Sequence, residues 1–188
     1  MSRYHELDND VHVPGRWHLR GPFDSQGKEL NPWQFRDGHP LNFSETLHFK
    51  FRHEGVPLDW TFAGLSVPLL NERTAALLQQ LELQDIQLFP ARIESRPEPY
   101  FVLNITRILK CIDDARCEQV LYWLPEDGRP DKTGKYRSVY GLRIDPTKAR
   151  EAPIFRPWGW QGVIIVSQDI KEAFEHTGIT GVKFFEVC

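Results

Sequence analysis

Histidines, cysteines and paired carboxylates are the residues of this 188-residue chain whose types could do chemistry. Six of its seven histidines come before Gly55: His5, His12, His18, His39, His48 and His53. A metal site wants histidines at fixed local spacing, such as two ligands four apart on one helix face. Here they scatter through loops, and His48 and His53 fall on the outward face of a strand and on its turn. They read as solvated or hydrogen-bonded side chains. The three cysteines, Cys111, Cys117 and Cys188, are an odd set that forms neither a disulfide framework nor a CxxC ligand pair. They read as free thiols of a reducing compartment. Asp113, Asp114 and Glu118 flank Cys117 and would raise its pKa, which works against a nucleophile. Cys111 follows a strand and is expected to be buried. The chain has no GxSxG elbow, no phosphate-cradling glycine loop and no GxGxxG. The neighbouring pairs Asp113 and Asp114, and Glu126 and Asp127, together with Asp85, have the oxygen chemistry for acid–base work or a divalent ion. Adjacent acids in a linker read instead as a solvated turn. The expectation is a protein without catalytic residues, metal or cofactor.

The aromatic loop 157–161, PWGWQ, is more suggestive. It sets Trp158 and Trp160 around a glycine between two strands. Tryptophan at a loop tip buries much area at little entropic cost, which suits an anchor for a protein or a sugar. The alternative is that both rings fold back as a lid on the core. The candidate partner-binding set is Trp158, Trp160 and Gln161, joined by Trp123, Glu126 and Asp127 from the nearby segment 123–135. A rival is a small-ligand or carbohydrate-binding module that stacks its ligand on Trp158 and Trp160.

Around these residues the pattern alternates between strands and a few helices. Leu47, Phe49 and Phe51 alternate with His48, Lys50 and Arg52, a half-buried strand turned at Gly55. A short strand over 59–62 follows, and Ser66 to Asn71 leads into a helix. Asn71 is its N-cap, and Ala75, Leu77, Leu78 and Leu81 make one apolar stripe that ends near Leu83. A strand pattern over 85–92 sets Ile86, Leu88 and Phe89 before Pro90, and 100–109 reads as one long strand with Asn104 and Thr106 on one face. A polar link over 110–118 precedes a short aromatic strand at 120–124. Segment 125–135 is a loop crowded with Pro, Gly and Asp. The closing unit over 139–187 reads strand, charged turn, strand, aromatic loop, strand, helix, strand. Its helix, 168–176, takes Ser167 as N-cap, Asp169 in the first turn and Gly178 as the left-handed stop. Residues 1–44 show no helical period and only short extended candidates at 11–13 and 16–19. They are expected to form an irregular lobe pinned by Trp17, Phe23, Trp33 and Phe35. The fold class is α+β: a mostly antiparallel sheet with two main helices packed on it, in a single domain over 1–188.

Hydrophobic content of 40%, with twelve Phe, six Trp and five Tyr, is enough for a sizeable core. Net charge of −3 argues against a nucleic-acid partner. The charged start MSRYHELDND lacks a secretory h-region, and apolar runs such as VIIV are far below the roughly 20 residues of a membrane span. These features fit a cytoplasmic protein with no membrane partner.

Several blocks resemble a family of myxobacterial-type immunity proteins of bacterial polymorphic toxin systems. They are GVPLDW, LNERTAALLQQL, DIQLFPARIE, PYFVLNITRILKCIDDARC, GLRIDPTKA with IFR, and VIIVSQDIKEAFEHTGITGVKFFEV, and the resemblance covers roughly 47–187. The resemblance implies a cytoplasmic protein that binds and neutralises a cognate toxin domain without catalysis of its own. It carries no catalytic residue. The matching positions Asp59, Asn104, Asp113, Asp145, Arg156, Ser167 and Gly181 read as turn, cap and ion-pair residues. Cys117 departs from the family, where a Ser is more usual, and the Trp-Gly-Trp loop is particular to this chain. A loop that varies on a shared scaffold suits a protein that must discriminate between partners.

Overall fold

A computed structural model describes residues 3–64 and 67–188. Its strands and helices run β1 (Tyr4–Asn9), β2 (His18–Phe23), β3 (Leu47–His53), β4 (Trp60–Ala63), β5 (Val67–Asn71), α1 (Glu72–Gln80), β6 (Ile86–Ile93) and β7 (Tyr100–Ile105). They continue with β8 (Ile108–Leu109), β9 (Gln119–Tyr122), β10 (Tyr136–Tyr140), β11 (Ile154–Pro157), β12 (Ile164–Ser167), α2 (Gln168–Thr177) and β13 (Val182–Glu186). One sheet has the order β13-β1-β12-β11-β8, a larger one β2-β3-β6-β7-β5-β4, and β9 and β10 form a separate ribbon. Among the described residues the pairings are antiparallel except for β3 with β6 and β8 with β11. The architecture is α+β with mixed sheets.

The central strands β5, β7 and β12 are covered on both faces, which explains their unbroken apolar runs. In β12, Ile164 and Val166 join a central cluster with Trp60, Leu70, Leu103 and Phe174, while Ile165 turns to a third cluster with Tyr4 and Phe155. In β5, Leu69 faces an aromatic cluster around Trp17 and Phe49, and Leu70 faces the centre. Both helices add to the central cluster, α1 through Leu78 and α2 through Ile170 and Phe174. Asn71 caps α1 by accepting from Thr74 N–H at 3.0 Å. Ser167 caps α2 by accepting from Ile170 N–H at 3.5 Å, and Gly178 closes it at φ 68°. Helix α1 stops at Gln80, before Leu83, and Glu82 adopts φ 49° just beyond. Ser66 lies outside the described residues.

Other expectations are corrected. Residues 1–44 are not irregular throughout: β1 lies between β12 and β13, and β2 extends the larger sheet beside β3. Trp17, Phe23 and Phe35 are buried as expected, but Trp33 is 51% exposed. Strand β6 runs through Pro90, whose missing N–H falls where β6 has β7 on one side and before its pairing with β3 begins at Ala91. The stretch 100–109 is two strands in two sheets. At the step between them Thr106 N–H donates to Asp85 O at 2.9 Å, and Arg107 O accepts from Arg156 N–H at 2.9 Å. The backbone groups of the junction are thereby satisfied in both directions. The strand expected over 139–145 ends at Tyr140, where Gly141 turns at φ 57°.

Asp59 ties these layers together. Its carboxylate accepts from Thr180 N–H and Oγ1 (both 2.8 Å), Arg73 Nη2 (2.6 Å) and Asn71 Nδ2 (2.6 Å). Burial pushes this carboxyl up, but the Thr180 and Arg73 donors outweigh it and hold the pKa below the ordinary value. Asp59→Ala is expected to cost about 3 kcal/mol in urea unfolding at neutral pH. Because the folded-state pKa is the lower one, this stabilisation is full above about pH 4 and is lost as pH falls through the folded pKa. The gap between wild type and variant should therefore close in acid, and a gap independent of pH would count against the carboxylate's role.

Candidate functional site

The segment Pro32–Arg36 forms a 3-10 turn that starts where the sequence supplies a cap: Asn31 Oδ1 accepts from Trp33 N–H at 3.0 Å, and Pro32 needs no donor partner at the first position. In a 3-10 turn positions three apart eclipse. Arg36 accordingly lies over Trp33, 4.6 Å from the ring centre, while Phe35 points into the core. Across from it, the ribbon of β9 and β10 and its connecting loop present Trp123, with Lys132 at 5.0 Å and Arg137 at 5.2 Å from its ring. Asp127 fixes that loop by accepting from Leu124 N–H at 2.8 Å and pairing with Arg137 at 3.0 Å. Glu126, in the short 3-10 turn Pro125–Asp127, is exposed.

The Trp-Gly-Trp loop reverses at Gly159, whose φ of 77° favours glycine and where a Cβ would stand a tight 3.1 Å from the Tyr136 ring. Trp160 N–H donates to Pro157 O at 3.2 Å. The reversal sends the two rings apart. Trp160 lines a groove of about 900 Å³ with Trp33, Trp123, Arg36, Arg137 and Gln161. Trp158 lines a different hollow of about 460 Å³, where Lys110 Nζ sits 4.4 Å from its ring centre. Both rings are half-buried. The structure thus brings Trp123, Trp160 and Gln161 to one groove, places Asp127 behind it, and leaves Trp158 elsewhere.

Beneath Gln161 lies a residue that the sequence reading assigned to fold-fixing ion pairs. Arg156 is fully buried, and no ion pair of the described residues includes it. Its Nη1 donates to Gln161 O at 2.7 Å and Val163 O at 3.4 Å, while Nε and Nη2 have no hydrogen-bond partner among the described residues. Burial, with the Arg36 charge added to it, lowers its pKa to about 9. On another wall Glu6 and Asp8 of β1 face the groove. Burial first, and Asp8 second, push Glu6 up to about 7, so this wall carries a charge that varies near neutral pH.

The remaining chemistry-bearing residues are engaged elsewhere. Cys111 is buried and its thiol is pushed up to about 12, chiefly by burial. For Cys117 burial again comes first, ahead of the acids Asp114 and Asp113, and its sulfur accepts from Arg143 N–H at 3.3 Å. Asp114 is an exposed turn residue, as expected, and it also accepts from Tyr136 Oη at 2.7 Å and from Tyr122 Oη, tying the ribbon to the 113–116 turn. His5 is buried and its Nε2 lies 2.6 Å from Gln168 Oε1. No cluster of three or more His, Cys, Asp or Glu able to hold a metal occurs among the described residues. None of their helices is long and apolar enough to cross a membrane. Sequence reading passed over Trp33, Arg36 and Glu6. The signal for the first two was available: Asn-Pro opening a short turn, with Trp and Arg three apart.

Tryptophan and arginine are enriched where one protein surface packs on another. The chain belongs to the Immunity protein family (Imm11), whose model matches residues 3–188. No curated protein matches it.

Proposed function

We propose that this protein binds a cognate bacterial toxin domain and neutralises it without catalysis, by occluding the toxin's active site or substrate path, as a cytoplasmic immunity protein. The observation that carries the reading is the groove, in which Trp33, Trp123 and Trp160 converge from three separate stretches of chain. Family membership supplies the class of partner. Half-buried aromatic anchors flanked by cations suit a protein contact, since they lose little entropy when covered. The carbohydrate reading has less support. Trp158 and Trp160 open to different hollows, and Arg36, Lys132 and Arg137 already lie against Trp33 and Trp123.

Co-expression with the product of the adjacent gene tests the proposal. The expected result is that this product alone arrests growth, that the present chain restores it, and that the two co-purify. Arrest that the chain does not relieve, with no complex, would refute the pairing.

A further inference from the structure

We infer that the toxin segment filling the groove places a single carboxylate side chain, flanked by apolar ones, on Arg36 above the buried Arg156. This rests on the groove being the toxin-binding surface. A fully buried guanidinium with three N–H donors unmet is costly unless something compensates for it. The charged group identified as acting on Arg156 is Arg36, which has the same sign. Arg36 lines the groove, close to the turn whose carbonyls Arg156 holds, and a Cβ at Gly162 would stand 3.6 Å from Arg36 Nη1. Two like charges on either side of the 161–163 turn, one of them fully buried, favour a negative group at that point of the groove. A carboxylate arriving there interacts favourably with both charges. Trp33 on one side and Trp160 on the other would cover the flanking apolar side chains. Glu6, Asp8, Asp37 and Asp131 also line the groove, which disfavours an extended polyanion such as nucleic acid and favours one acidic side chain.

Calorimetric titration with the adjacent gene's product, at low and high salt, tests this. Arg36→Met, folded as judged by circular dichroism and melting, is expected to bind at least about 30-fold more weakly and to lose much of the salt dependence. Arg36→Lys should recover part of the loss. Arg156→Met removes the buried charge together with its hydrogen bonds to Gln161 O and Val163 O, and it is expected to bind more weakly at a temperature where circular dichroism shows it folded. The inference is overturned if Arg36→Met and Arg156→Met bind as wild type does while Trp123→Ala and Trp160→Ala weaken binding, because the groove is then used without a carboxylate. If the Trp variants also bind normally, the groove reading itself falls. Competition by a single-stranded oligonucleotide that depends on Arg36 would overturn the inference in favour of a phosphate ligand.

Discussion

Gly181→Ala lowers the melting temperature by about 10 °C or more, equivalent to at least about 4 kcal/mol in a chain of this size. A Cβ at Gly181 would stand 2.1 Å from the Trp60 carbonyl oxygen and 3.0 Å from Leu58 Cβ, and the residue sits at φ 90°. The first obstacle is backbone, so no rotamer change relieves it. Trp60 is itself fully buried and hydrogen-bonded through its N–H to Thr180 O at 3.0 Å. The two main sheets meet here, since Gly181 O also accepts from Asp10 N–H just beyond β1. Gly27→Ala is the control. It has φ 81° but nothing within 4 Å of its Cβ, so it carries backbone strain alone, about 1 kcal/mol. Equal losses at the two positions in thermal melting would show that close approach is not what Gly181 provides.

Trp123→Ala and Trp160→Ala are each expected to weaken toxin binding by about 2 kcal/mol or more, which is about 30-fold in Kd. Trp160 also packs against the cluster beneath β12, so its variant must first be shown to melt like wild type at the temperature of the binding experiment. Trp158→Ala should leave affinity nearly unchanged, because that ring opens to a different hollow. A Trp158 effect as large as that of Trp160 would move the interface to the other side of the loop.

Much of this was legible where local rules dominate. Asn71, Ser167 and Gly178 mark the helix ends they occupy, and the alternation of Leu47 and Phe49 marks β3. Strand β1 was not legible because its inward positions are not uniformly apolar. His5 is buried beside Gln168, and Glu6 points to the groove, so the pattern of YHELDN reads as polar. The break at Thr106 and Arg107 was hidden by apolar residues on both sides that serve two different sheets. In the site, the loop 157–161 and Trp123 could be singled out from residue type, but which ring faces which hollow depends on the reversal at Gly159. Arg156 was read as an ion-pair residue because an arginine inside a strand normally has a carboxylate opposite. Only the packed structure shows that its neighbour is another arginine.

The position of β1 has a consequence for how the molecule comes into being. Tyr4 pairs with Ser167, and His5 pairs with Glu186, so β1 waits for partners more than 160 residues downstream. Contacts of such long range fold slowly, since the intervening loop must be closed before any of them is gained. During translation the segment 4–9 leaves the ribosome unpaired and stays so until β12 and β13 have followed it. The wall of the groove formed by Glu6 and Asp8 exists only after that closure. The groove is therefore completed late in synthesis, and a nascent chain halted before β12 would expose its aromatic residues without the sheet that carries its acidic wall.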